Sequence, residues 1–132
     1  MNIKNKVASF NKGETITDTN DRITVSDNDD GLHCVKWSMR FMHVDAVIRY
    51  TRNGKTVLCS NGKLRVTRNR ARPILAPYGI TIDNKGVFYR GRVPIDIGWL
   101  FCVLDADGKI DRIIYSGFGA EEKIRNCLYR DN

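Results

Sequence analysis

Two Asn-Gly pairs, Asn53-Gly54 and Asn61-Gly62, set the strongest constraint on this chain. Asn-Gly is the preferred centre of a two-residue type I′ hairpin turn, because both central residues need positive φ. The segments around the first pair alternate as strands do. In residues 44–51, Val44, Ala46, Ile48 and Tyr50 line one face and Asp45, Val47, Arg49 and Thr51 the other. Residues 56–60 read as the return strand. The second pair predicts a further tight reversal into a strand over residues 63–67, with Leu64 and Val66 inward and Lys63 and Arg65 outward. Three antiparallel strands between residues 44 and 67 form the local unit from which the rest is read.

The remaining punctuation extends that pattern. Strands are expected over residues 14–18 and 22–26, with Thr19-Asn20-Asp21 as the turn between them. Asp27-Asn28-Asp29-Asp30-Gly31 is a second turn, followed by a strand over residues 32–39. Arg68 to Arg72 loses the alternation and reads as a loop, and Pro73 and Pro77 argue for extended chain between them. Further strands are expected over residues 78–82, 87–93, 97–105 and 110–115, with an interruption at Pro94. Residues 97–104 are continuously apolar, which predicts a central strand with Trp99, Phe101 and Val103 buried alongside Ile48. Gly117 and Gly119 break the sheet. Residues 120–130 give a convincing amphipathic helix, striped by Ile124, Cys127 and Leu128, with Glu121 and Glu122 at its positive end. Residues 1–11 fit either a frayed start or one short helix. The expected fold is mainly β (α+β): a single domain over residues 1–132, an antiparallel meander forming a curled sheet or small barrel, with one C-terminal helix.

Charge is distributed unevenly over this framework. Residues 1–45 carry six basic and seven acidic groups, and residues 96–132 carry five and seven. Residues 46–95 carry eleven basic groups against one acid, Asp83, so the middle of the chain supplies the whole net charge of +7. Five cations fall between Lys63 and Arg72. Such segregation points to a polyanionic partner. The candidate phosphate-binding residues are Lys63, Arg65, Arg68, Arg70 and Arg72, with Arg49, Arg52, Arg90 and Arg92 in support. Guanidinium forks match phosphate oxygens at two points. Tyr50, Tyr78 and Phe88 are candidates for stacking on bases, since rings interleaved with cations suit a single-stranded nucleic acid.

The catalytic alternatives are weaker on chemical grounds. His33 and Cys34 are adjacent in a strand and point to opposite faces, so the imidazole does not reach the thiol. His43, Asp45 and Cys59 have no spacing that marks a metal or nucleophilic site. Asp96 with Glu121 and Lys123 faintly matches a metal-dependent nuclease, but the latter two fall at a helix start. Asp105-Ala106-Asp107-Gly108-Lys109 opens like a calcium loop and lacks the later ligands. The reading is therefore a non-catalytic binding module without a cofactor. Its expected partner is nucleic acid or a nucleotide; a nucleotide-sequestering Arg-lined pocket and an inhibitor or adaptor docking on an acidic protein are the alternatives. The four cysteines, Cys34, Cys59, Cys102 and Cys127, lack close pairing, and neither a signal peptide nor a membrane-length apolar run is visible, so a cytoplasmic setting with free thiols is expected.

Overall fold

The computed structural model describes residues 1–115 and 119–130. Seven strands build one antiparallel sheet: β1 (Ile16–Thr17), β2 (Asp21–Asp27), β3 (His33–Met39), β4 (Val44–Arg52), β5 (Lys55–Asn61), β9 (Trp99–Leu104) and β10 (Ile110–Ile114), neighbours in that order. The expected meander is present, and it does not close into a barrel, because β1 and β10 are its two edges. Between β5 and β9 the chain leaves this sheet. It forms helix α2 (Arg65–Leu75), a short 3-10 turn (Ala76–Tyr78), and a second sheet of β6 (Ile80–Ile82), β7 (Val87–Arg90) and β8 (Val93–Ile97). Helix α1 (Ile3–Lys12) precedes the large sheet and α3 (Ala120–Tyr129) follows it. The first hairpin forms as its turn residues require, with Asn53 at φ 51° and Gly54 at φ 76°.

The second Asn-Gly pair does something else. Asn61 stays in β5, opposite Trp99, and its side-chain oxygen accepts the Lys63 N–H at 2.9 Å. The expected strand over residues 63–67 and the loop from Arg68 to Arg72 are both replaced by α2. Helical spacing explains the correction: Thr67, Ala71, Ile74 and Leu75 recur at intervals of four, three and one, and all four are buried. The Thr67 hydroxyl accepts the Leu64 N–H and donates to the Leu64 carbonyl, closing the first turn in place of a polar N-cap side chain. Pro73 sits in the last turns, where the carbonyl it leaves without a partner belongs to the exposed Asn69. Pro94 likewise lies within a strand, the edge strand β8, where a missing N–H is tolerated.

The large sheet has two unequal faces. On one, Val35, Trp37, Val47, Leu58, Leu100 and Cys102 pack against Phe10 of α1, Ala71, Ile74 and Leu75 of α2, and Ile80, Ile82 and Phe88 of the small sheet. On the other, a smaller cluster of Ile48, Val57, Cys59, Val103 and Ile114 meets Leu128 of α3, with Ile124 and Cys127 beside it. Strand β9 feeds both faces, which is why its sequence is continuously apolar. Of the four residues expected in the core, Ile48 and Val103 are buried, while Trp99 and Phe101 are only half-buried. Burial on β9 is completed instead by Leu100 and Cys102. Among the described residues, no helix is long and apolar enough to cross a membrane. All four cysteines are free. The expected break at Gly117 lies outside the described residues; Gly119, at φ 87°, leads into α3.

Candidate anion-binding face

The segment that leaves the sheet, residues 62–98, holds eight basic residues and two acids, Asp83 and Asp96. Its folding sorts these cations into two groups. Arg70 turns inward from α2 onto the buried Asp21, Nε to Oδ1 at 2.6 Å and a terminal nitrogen to Oδ2 at 3.1 Å, and also donates to the Val66 carbonyl. Arg68 donates to the Gly62 and Lys63 carbonyls, each at 3.2 Å. Arg72 donates to the Ile82 carbonyl and to Asn84, tying α2 to the small sheet. Outside the segment, Arg49 donates to the Phe10 carbonyl over the Phe10 ring, and burial lowers its pKa. Arg52 donates to the Asp30 and Leu128 carbonyls over the Tyr129 ring. These five arginines hold elements together.

Lys63, Arg65, Arg90 and Arg92 form the second group. All are exposed, and among the described residues none has a side-chain hydrogen bond or ion pair. Lys85, which the sequence reading passed over, joins them in the β6–β7 turn. A glycine junction sets the first of these residues: the Gly62 N–H donates to the Gly98 carbonyl at 2.8 Å, and the Gly98 N–H to the Gly86 carbonyl at 3.1 Å. A Cβ on Gly86 would stand 2.6 Å from the Gly62 oxygen. The side chain of Lys63 runs along Gly98, where a Cβ would meet its Cε at 3.0 Å. Lys85 therefore comes close to Lys63 through the backbone approach of its neighbour Gly86. Asp83, beside Lys85, stays ionised and offsets part of this charge. Its carboxylate accepts the Val87 and Lys85 N–H groups and the Tyr89 hydroxyl, and the Val87 bond leads in holding its pKa below the usual carboxylate range.

The expected stacking residues separate too. Phe88 is fully buried in the main core, which removes it as a platform. Tyr78 is half-buried and packs on the same core from the 3-10 turn. Tyr50 lies on the opposite face of the large sheet, in a groove beside α3, and burial pushes its hydroxyl up to about 12. Two rings not expected to be accessible share that groove: Trp99 and Phe101, with centroids 6.1 Å apart and planes 8° from parallel. Their i, i+2 spacing in a strand was the available signal, since it places both on one face.

The groups considered for catalysis are held by other partners. His33 pairs with Asp27 at 2.6 Å, and Asp45 accepts from Ser38 at 2.6 Å. Burial pushes the Cys59 and Cys102 thiols up to about 12, so neither is a ready thiolate. Among the described residues, no group of three or more His, Cys, Asp or Glu side chains could hold a metal ion. Comparison with known proteins returned no matching family model, no matching curated protein and no matching solved structure, which leaves the exposed cations and the groove as the observations on function.

Proposed function

We propose that the protein is a non-catalytic binding module for a polyanion, with nucleic acid as the partner and the segment between β5 and β9 as the contact surface. The observation that carries this reading is the group of five exposed cations, Lys63, Arg65, Lys85, Arg90 and Arg92, on a segment with an excess of six positive charges. Arg70 is neutralised by Asp21, and Arg49, Arg52, Arg68 and Arg72 are held in place by internal acceptors, so the five exposed cations are the ones most free to meet phosphates. Phosphate contacts supply affinity through release of condensed counterions. Four free thiols and no membrane-length helix among the described residues support a cytoplasmic setting.

The test is fluorescence anisotropy with single-stranded oligonucleotides of increasing length at several salt concentrations. Affinity is expected to grow with length. Replacing Lys63 and Arg65, or Arg90 and Arg92, with Ala is expected to flatten the slope of log affinity against log salt by about 0.7 per cation removed, with the thermal unfolding curve unchanged. Early saturation with length would favour a nucleotide pocket instead. Absence of binding to any strand would overturn the reading and leave an acidic protein as the partner to seek.

A further inference from the structure

Four places in the chain put an Asn or Asp side chain directly before a glycine: Asp30-Gly31, Asn53-Gly54, Asn61-Gly62 and Asp107-Gly108. At such a pair a cyclic imide can close between the side-chain carbonyl carbon and the next backbone nitrogen, and glycine has no Cβ to obstruct it. The fold treats the four pairs differently. Gly31 donates its N–H to the Asn28 carbonyl at 3.0 Å, Gly62 to the Gly98 carbonyl at 2.8 Å and Gly108 to the Asp105 carbonyl at 3.0 Å. Gly54 is the exception: among the described residues its N–H has no backbone acceptor. The two Asn pairs differ most. Asn61 is 3% exposed; its side-chain nitrogen donates to the Asp45 carbonyl at 3.2 Å and its oxygen accepts the Lys63 N–H. Asn53 is exposed at the tip of the β4–β5 turn, with no side-chain hydrogen bond among the described residues, and a Cβ on Gly54 would meet nothing within 4 Å.

Ring closure needs a free backbone nitrogen and an amide side chain that can turn onto it, and Asn53-Gly54 supplies both. A base in the solvent removes the Gly54 amide proton, the nitrogen bonds to Asn53 Cγ, and the Cγ–Nδ2 bond breaks, releasing ammonia once that nitrogen has taken a proton from solvent. One water then opens the imide. Opening at Cγ gives an aspartyl residue. Opening at the main-chain carbonyl gives isoaspartate, whose main chain runs through Cγ and is one carbon longer. No electrons are exchanged. We infer that Asn53 is a site of spontaneous deamidation, from which the fold protects Asn61, and that the isoaspartyl product loosens the hold of this hairpin on α3. The hold is made from both sides of the turn: Arg52 donates to the Leu128 carbonyl at 3.1 Å, and Lys55 donates to the Arg130 carbonyl. Arg52 and Lys55 pair across a turn built for two residues of ordinary length, so an added main-chain carbon breaks their register. The aspartyl product keeps that length and tolerates the left-handed backbone, φ 51° at this position.

The experiment ages the full chain at mildly acidic and mildly alkaline pH, folded and in urea, and maps its peptides by mass spectrometry, with electron-transfer fragmentation to separate isoaspartate from aspartate. In urea both Asn residues should convert at similar rates, faster at the higher pH because the deprotonated amide is the nucleophile. In the folded protein Asn53 should convert at least about tenfold faster than Asn61, which reacts only from opened forms. Equal rates at the two sites in the folded protein, or an unreacted Asn53, would overturn the assignment. Hydrogen exchange then reads the consequence. The isoaspartyl fraction should exchange its α3 amides faster than fresh protein and faster than Asn53→Asp, which adds the charge without the extra carbon. Equal α3 exchange in all three, or the same rise in Asn53→Asp, would overturn the coupling to α3.

Discussion

Asp21 shows what one side chain contributes here. It is fully buried, and it accepts from the Trp37 indole at 2.9 Å, from Arg70 through two nitrogens, and from Lys6 of α1. Lys6 also reaches Asp18 at 2.9 Å. Burial alone would raise the Asp21 pKa, but the bonds from Arg70, Lys6 and Trp37 outweigh it and hold the carboxyl below its ordinary value. Burial also opposes the Lys6 ammonium, and its bonds to Asp21 and Asp18 more than compensate, so its pKa is raised. Removing the shared acid would strip Arg70 of its ion pair and leave the buried Lys6 with Asp18 alone. Asp21→Ala is therefore expected to cost about 3–5 kcal/mol, read from urea denaturation. Protonation should act in the same direction. The Lys6 bond leads in holding Asp18 down at about 2, against an ordinary 3.8. Groups with lowered folded pKa values stabilise above the unfolded value and lose that contribution as pH falls through the folded one. The urea midpoint should thus decline between about pH 4 and pH 2, and Asp18→Asn should shrink that decline. In the sequence Asp21 reads as part of a turn. Nothing local distinguishes a solvated acid from one that collects three donors from α1, β3 and α2.

At the scale of elements, β9 and α2 divide what the chain reveals from what it hides. The apolar run over residues 97–104 marks a strand correctly, yet alternation cannot rank two faces that are both covered. Leu100 is fully buried against the main core, whereas Phe101 is half-buried at the groove. Leu100→Ala is expected to cost about 2–5 kcal/mol, and Phe101→Ala less despite its larger side chain; paired urea titrations would test the order. The hairpin at Asn53-Gly54, the meander and α3 were legible because turn chemistry and periodicity agree there. Helix α2 was not. Four arginines and a proline mask the Thr67, Ala71, Ile74 and Leu75 stripe, and the second Asn-Gly pair imitates a hairpin turn. The candidate site suffered from the same ambiguity. A run of cations looks alike whether its guanidinium groups meet solvent or cap carbonyls, and only the fold separates Arg65 from Arg70.

At the scale of the molecule, the two sheets are joined where three glycines approach one another. Gly86 sits at φ 87°, and an added Cβ would strike the Gly62 oxygen. Gly86→Ala is expected to cost at least about 1–2 kcal/mol from the left-handed backbone alone, with more from the collision; thermal and urea unfolding would measure it. The junction also bears on the order in which the chain assembles. Asn61 and Trp99 pair across the sheet with 37 residues between them, while β2 to β5 are joined by short turns. At about 0.6 kcal/mol for each doubling of loop length, closing this seam carries roughly 2–3 kcal/mol more entropy loss than closing a two-residue hairpin. The β2–β5 hairpins can nucleate locally, and β9 docks once the intervening segment has condensed. Mutations at Val35 or Trp37 should then slow refolding, whereas Leu100→Ala should mainly speed unfolding. The path by which β9 arrives carries the cationic segment with it, so the surface offered to a polyanion takes shape in the closing step of folding.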